Sequence, residues 1–101
     1  MIVSPSPDHQ LVLDDVVVLL RGDVVEVFHA NGSHDVFHVL HLAVDGRPKR
    51  DGDLAVRIGI RVRDVIVNGT EIRVPPDRQA EFDTLFAEAR LRRSRLQGGM
   101  R

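Results

Sequence analysis

Two hydrophobic periods divide the chain, and the change from one to the other falls near Pro76. Downstream of it Phe82, Leu85, Phe86 and Ala89 recur at i, i+3, i+4 and i+7, while Glu81, Asp83, Glu88 and Arg90 fall mostly off that stripe. The spacing predicts one amphipathic helix that runs to roughly residue 93. Pro76 cannot sit inside a helix, and the Asp77 carboxylate can accept hydrogen bonds from the free N–H groups of a first turn, so the helix is expected to start there. A sheet is required under its apolar stripe.

Upstream the period is two. Leu54, Val56, Ile58, Ile60 and Val62 alternate with Ala55, Arg57, Gly59 and Arg61, which predicts a strand with the first set inward. Residues 11–20 are apolar apart from Asp14 and Asp15, and their valine richness favours strand with a bend or turn at the aspartates. Arg21-Gly22-Asp23 separates this run from residues 24–30 as a tight hairpin would. Asn31-Gly32 and Asn68-Gly69 both suit two-residue hairpin loops, because Asn and Gly tolerate positive φ. A loop at 68–69 sets Val67 against Thr70, Val65 against Ile72 and Asp64 against Arg73. Val65, Val67, Ile72 and Val74 then share the core face, and the chain must bend or bulge near Arg63 and Asp64. Residues 45–53 read as a polar loop with Gly46, Pro48 and Gly52 at its turns.

Six or seven short strands followed by one helix is an α+β order, with a curved antiparallel sheet or partly open barrel. The expected division is an extended lead-in over residues 1–10, a single domain over 11–95 and a flexible basic tail over 96–101. Three segments carry a resemblance to a known superfold: Phe37-His38-Val39-Leu40-His41-Leu42, the run 65–74, and Val74-Pro75-Pro76-Asp77 leading into Glu81-Phe82-Asp83-Thr84-Leu85-Phe86. The chain resembles a pleckstrin-homology-like (PH-like) domain, and among these the short bacterial ones. That resemblance implies a seven-stranded, partly open barrel plugged by a C-terminal helix. Phosphoinositide-binding members carry a basic loop between the first two strands, whereas here the connection is Arg21-Gly22-Asp23, so lipid binding is not carried across.

Composition narrows the classes. With 101 residues the chain is one domain, able to bury about two thirds of its unfolded surface. It has no cysteine, which removes disulfides and thiolate metal sites, and its first residues form no signal-like segment, so a cytoplasmic location is expected. No apolar run reaches the length of a membrane span. The net charge of −1 argues against attraction of the whole molecule to nucleic acid, although Arg90, Arg92, Arg93, Arg95 and Arg101 gather at the end without an acid among them.

Three constellations are candidates for chemistry. His29, His34, His38 and His41 fall in one window, and a two-residue loop at 31–32 makes His29 and His34 cross-strand neighbours with His38 on the same face. A loop one residue longer sets His29 against Asp35 instead. His34 and His38 would be about 13 Å apart along a strand, while zinc needs each nitrogen at about 2 Å. Structural histidines are therefore expected, with a metal-binding protein or enzyme using His29, His34 and His38 as the alternative. Arg57, Arg61 and Arg63, with Arg47, Lys49 and Arg50 nearby, form a row suited to a protein partner's carboxylates, or alternatively to nucleic acid or another anion. The chain has no Trp or Tyr on which bases could stack. Finally Val16, Val17, Val18, Leu19 and Leu20 are apolar on both faces of a strand, which points to self-association. No nucleophile–base pair, phosphate-cradling loop or complete calcium loop is present. The sequence thus reads as a non-enzymatic binding or assembly module without cofactor, with a protein partner or homodimer expected.

Overall fold

A computed structural model describes residues 9–98. Among these, seven antiparallel strands form two sheets, followed by one helix. The strands are β1 (His9–Val12), β2 (Val16–Arg21), β3 (Val24–His29), β4 (His34–His38), β5 (Leu42–Pro48), β6 (Leu54–Val62) and β7 (Val65–Val74), and α1 spans Gln79–Gly98. Strands β1 to β4 make a four-stranded meander and β5 to β7 a three-stranded one. The two sheets do not close into a barrel, and the chain passes between them through a 3-10 turn at Val39–His41. The α+β order stands; in place of one curved sheet there are two separate ones.

Local chemistry explains the turns of the first sheet. Asp14 and Asp15 occupy a turn closed by Leu13 N–H donating to the Val16 carbonyl at 2.8 Å, so the run 11–20 is two paired strands. Gly22 has φ +60 in the two-residue loop joining Arg21 to Val24, a conformation that costs glycine little. At the next turn Asn31 Oδ1 accepts from both the Ser33 N–H (2.9 Å) and its hydroxyl (2.7 Å), an Asx turn that lengthens the loop. His29 N–H bonds the Ser33 carbonyl, and Phe28 pairs with His34. The loop is therefore three residues long, not two.

The second Asn-Gly pair overturns an expectation. The hairpin loop is Arg63-Asp64, since Val62 pairs with Val65, and Asn68-Gly69 lies inside β7. There the register slips: Ile58 pairs with Thr70 but Ile60 with Val67, so Asn68 and Gly69 together oppose Gly59. This is a β-bulge, with Asn68 at φ +52. Asn tolerates the left-handed region as well in a bulge as in a turn, and local sequence does not distinguish the two. The bulge reverses the alternation, so Val65 and Val67 before it and Ile72 and Val74 after it still share a face.

One core lies between the sheets and the helix. Leu11, Val18, Leu20, Val25 and Val27 from the first sheet meet Val56, Ile58, Ile72 and Val74 from the second, and all are buried. Phe82, Leu85, Phe86 and Ala89 of α1 complete it as the stripe predicts, with the two phenylalanine rings 4.7 Å apart. The start of the helix differs. The Asp77 carboxylate forms no hydrogen bond among the described residues; a 3-10 turn at Pro76–Arg78 leads in, and Arg78 grips Glu81 through two bonds of 2.7 and 2.9 Å. Those bonds raise the Arg78 guanidinium pKa above its ordinary value. Gln79 Nε2 donates to the Gly52 carbonyl at 2.9 Å, tying the helix to the β5–β6 loop. That loop is shorter than expected, residues 49–53, because 45–48 belong to β5. The strand β1 takes in His9 and Gln10, and α1 takes in residues 96–98, so regular structure reaches past the expected domain limits at both ends. The rest of the expected lead-in and tail, Arg101 included, lies outside the described residues.

Candidate functional site

The register divides the histidines. On β3 the odd positions Val25, Val27 and His29 face the core side, and on β4 Asp35 and Phe37 face it, whereas Phe28, His34, Val36 and His38 face outward. His29 and His34 therefore stand on opposite faces. His29 Nε2 lies 2.8 Å from Thr70 Oγ1 across the gap between the sheets and 3.5 Å from Asp35 Oδ2. Asp35 does contact His29, although its direct cross-strand partner is Val27. Outside, the His34 ring stacks on Phe28 with centroids 4.1 Å apart, and its Nε2 is 3.4 Å from Glu26. His38 Nδ1 accepts the Leu40 N–H at 3.2 Å as the cap of the 3-10 turn. Among the described residues no three metal-ligating side chains converge. The His29, Thr70 and Asp35 group is not a nucleophile relay either, because both partners meet the same ring nitrogen and a relay uses the two nitrogens separately. Thr70 carried no signal in the sequence: the bulge at Asn68 is what turns it toward His29.

The arginine row also divides. Arg57 sits between Asp45 and Glu71 on the two flanking strands, inside a local balance of charge. Arg63 occupies the hairpin loop at φ +56. Arg61 instead borders a cavity of about 150 Å³ between β5, β6 and α1, where it meets Arg90 and Arg93 of the helix. Leu42, Phe86 and Ala89 supply buried apolar surface there, and no acidic residue lines it. Among the described residues neither Arg61 nor Arg90 has an ion-pair partner, while Arg93 donates to the Leu42 carbonyl at 3.4 Å. The sequence did hold a signal for the helical pair, since Arg90 follows Phe86 and Arg93 follows Ala89 by four residues. That Arg61 joins them depends on how the helix docks. Arg92, by contrast, is engaged with Glu88 at 3.2 Å and with the Gly22 carbonyl. Arginines 90, 92 and 93 thus belong to a docked helix.

A second, wider cleft of about 560 Å³ is lined by Asp14, Asp15, Asp53 and Asp77 together with Arg73 and Arg78. Arg73 lies 3.5 Å from Asp53 and 3.6 Å from Asp51 and Arg78 is bound to Glu81, so carboxylates outnumber guanidiniums along this cleft.

A row of exposed and half-buried apolar side chains lies on the outer face of the first sheet. Of the five apolar residues at 16–20, Val16, Val18 and Leu20 are buried in the core, and Val17 and Leu19 form the half-buried outer set. Register places Val12, Val17, Phe28 and His34 in one row across the four strands, and Gln10, Leu19, Glu26 and Val36 in the next. Val12 is 44% exposed, Phe28 36% and Val36 53%. Glu26 sits among them within 3.7 Å of Arg21 and 3.4 Å of His34.

Compared with family models, curated proteins and solved structures, the chain gives no match. No helix among the described residues is long and apolar enough to cross a membrane.

Proposed function

We propose that the chain is a non-enzymatic binding and assembly module of the PH-like kind, and that it self-associates through the outer face of β1 to β4. The PH-like assignment is supported by the element order: a four-stranded meander, a three-stranded meander and a C-terminal helix closing the core between them. The observation that carries the functional reading is the apolar row Val12, Val17 and Phe28, flanked by Leu19 and Val36. Interaction surfaces combine such an apolar centre with polar groups, and scattered single hydrophobics do not. The occupant is a second copy of the chain. Glu26 lies beside Arg21 and His34, so the face carries both signs of charge and can complement itself across a two-fold axis. A surface for nucleic acid or an anionic membrane would carry one sign.

Light scattering on the purified chain tests this. The expected result is a dimer that becomes a monomer in Phe28→Glu and Val36→Glu, with the fold retained by circular dichroism because both side chains point away from the core. A monodisperse wild-type monomer at high concentration would overturn the reading.

A further inference from the structure

We propose that the cavity between β5, β6 and α1 is a binding site for an apolar carboxylate. Two observations converge on it. Its inner wall includes hydrocarbon from Leu42, Phe86 and Ala89 beside the arginine groups, and its volume of about 150 Å³ is enough for a benzene-sized group. Its border carries the guanidinium groups of Arg61, Arg90 and Arg93 with no carboxylate to balance them. Arg61 and Arg90 are exposed and have no ion-pair partner among the described residues, so their donors are free to meet a ligand. Elsewhere several arginines are ion-paired: Arg73 with Asp51 and Asp53, Arg78 with Glu81, and Arg92 with Glu88. An apolar hollow with a few convergent polar groups at its mouth is the usual form of a small-ligand site. Guanidinium forks select a planar carboxylate, which they can hold through two parallel hydrogen bonds.

The ligand is thus an acid whose apolar part is about the size of a phenyl or leucine side chain. A free acid and the C-terminal residue of a peptide share that chemistry. The cavity has no residue in common with the outer face of the first sheet, so the site stands whether the chain is a monomer or a dimer.

Phenylacetate and phenylacetamide are the probes, each titrated into the labelled full chain while amide resonances are followed. Phenylacetate is expected to shift resonances of residues 42–44 and 86–93, and the neutral amide to bind at least about tenfold more weakly. The double variant Arg61→Gln, Arg90→Gln changes two exposed side chains and should retain the fold, with phenylacetate affinity lowered about tenfold or more. A leucine-ended tripeptide and its C-terminally amidated form assign the source. Tighter binding of the free-ended peptide than of phenylacetate supports a chain terminus, and weaker binding supports a free acid. Equal binding of acid and amide, the absence of any shift at millimolar phenylacetate, or unchanged affinity in the double variant would overturn the proposal.

Discussion

His29 Nε2 and Thr70 Oγ1 lie 2.8 Å apart although 41 positions separate them in the chain, one on β3 of the first sheet and the other on β7 of the second. The bond is part-buried, so water replaces it poorly when one partner is removed.

Thr70→Val keeps the shape of the side chain and removes the hydroxyl. The expected loss is about 1 kcal/mol, the usual net worth of one such bond. Urea denaturation of Thr70→Val, His29→Leu and the double variant measures the coupling. Strict additivity of the two single losses would show that the sheets are not joined there.

Gly59 and Gly69 face each other across the bulge, and alanine should affect them unequally. A Cβ on Gly59 would stand 2.6 Å from Ile66 Cγ2 and 2.8 Å from the Val67 carbonyl oxygen, so strand backbone must move. A Cβ on Gly69 meets mainly the Arg57 side chain at 2.7 Å, and that exposed chain can swing aside. Gly59→Ala is expected to destabilise by about 1–3 kcal/mol and Gly69→Ala by clearly less. Equal melting temperatures for the two variants would contradict the bulge geometry.

Arg63 adopts φ +56 at the first position of the β6–β7 loop, where Gly22 adopts φ +60 at the equivalent place of the β2–β3 loop. An ordinary side chain there carries strain of about 1–2 kcal/mol, partly offset because glycine loses more backbone freedom on folding. Arg63→Gly should therefore stabilise the chain by up to about 1 kcal/mol, read as a higher denaturation midpoint. A lower midpoint would count against the turn.

Phe82 and Phe86 are the two aromatic side chains that α1 buries in the core. Truncation of either to alanine is expected to cost about 3–5 kcal/mol, a large part of the total for a domain of this size. Thermal unfolding followed by circular dichroism would show it, and unchanged melting in both would mean that the helix is undocked.

The helix and the first hairpins were legible because their signals are local. A 3.6-residue stripe, an Asp pair between valine runs and a Gly-Asp loop each specify their geometry within a few residues. The position of the last hairpin was not legible, since Asn68-Gly69 is the better turn sequence by propensity and Arg63-Asp64 the poorer one. The outcome rests on pairing: a loop at 63–64 lets β7 run ten residues along β6. The histidine faces turned on one residue of loop length at 30–32, which the Asn31 side chain determines by bonding to Ser33. The Arg61, Arg90 and Arg93 cluster joins a strand to a helix, and such convergence has no period to read.

The bulge also bears on which changes of length this chain can absorb. Asn68 and Gly69 are both exposed and contribute nothing to the core by their own side chains. Removing one of them would leave the hairpin loop intact and set the remaining residue alone opposite Gly59, so that Thr70 still meets Ile58 and Ile72 and Val74 still point inward. A single-residue deletion there converts the bulge into regular pairing and keeps the face of the strand that leads into the helix, whereas the same deletion at Glu71 would turn Ile72 and Val74 out to solvent. The chain can thus lose one residue between Val67 and Thr70, but not one between Thr70 and Val74, without exchanging the faces of the strand.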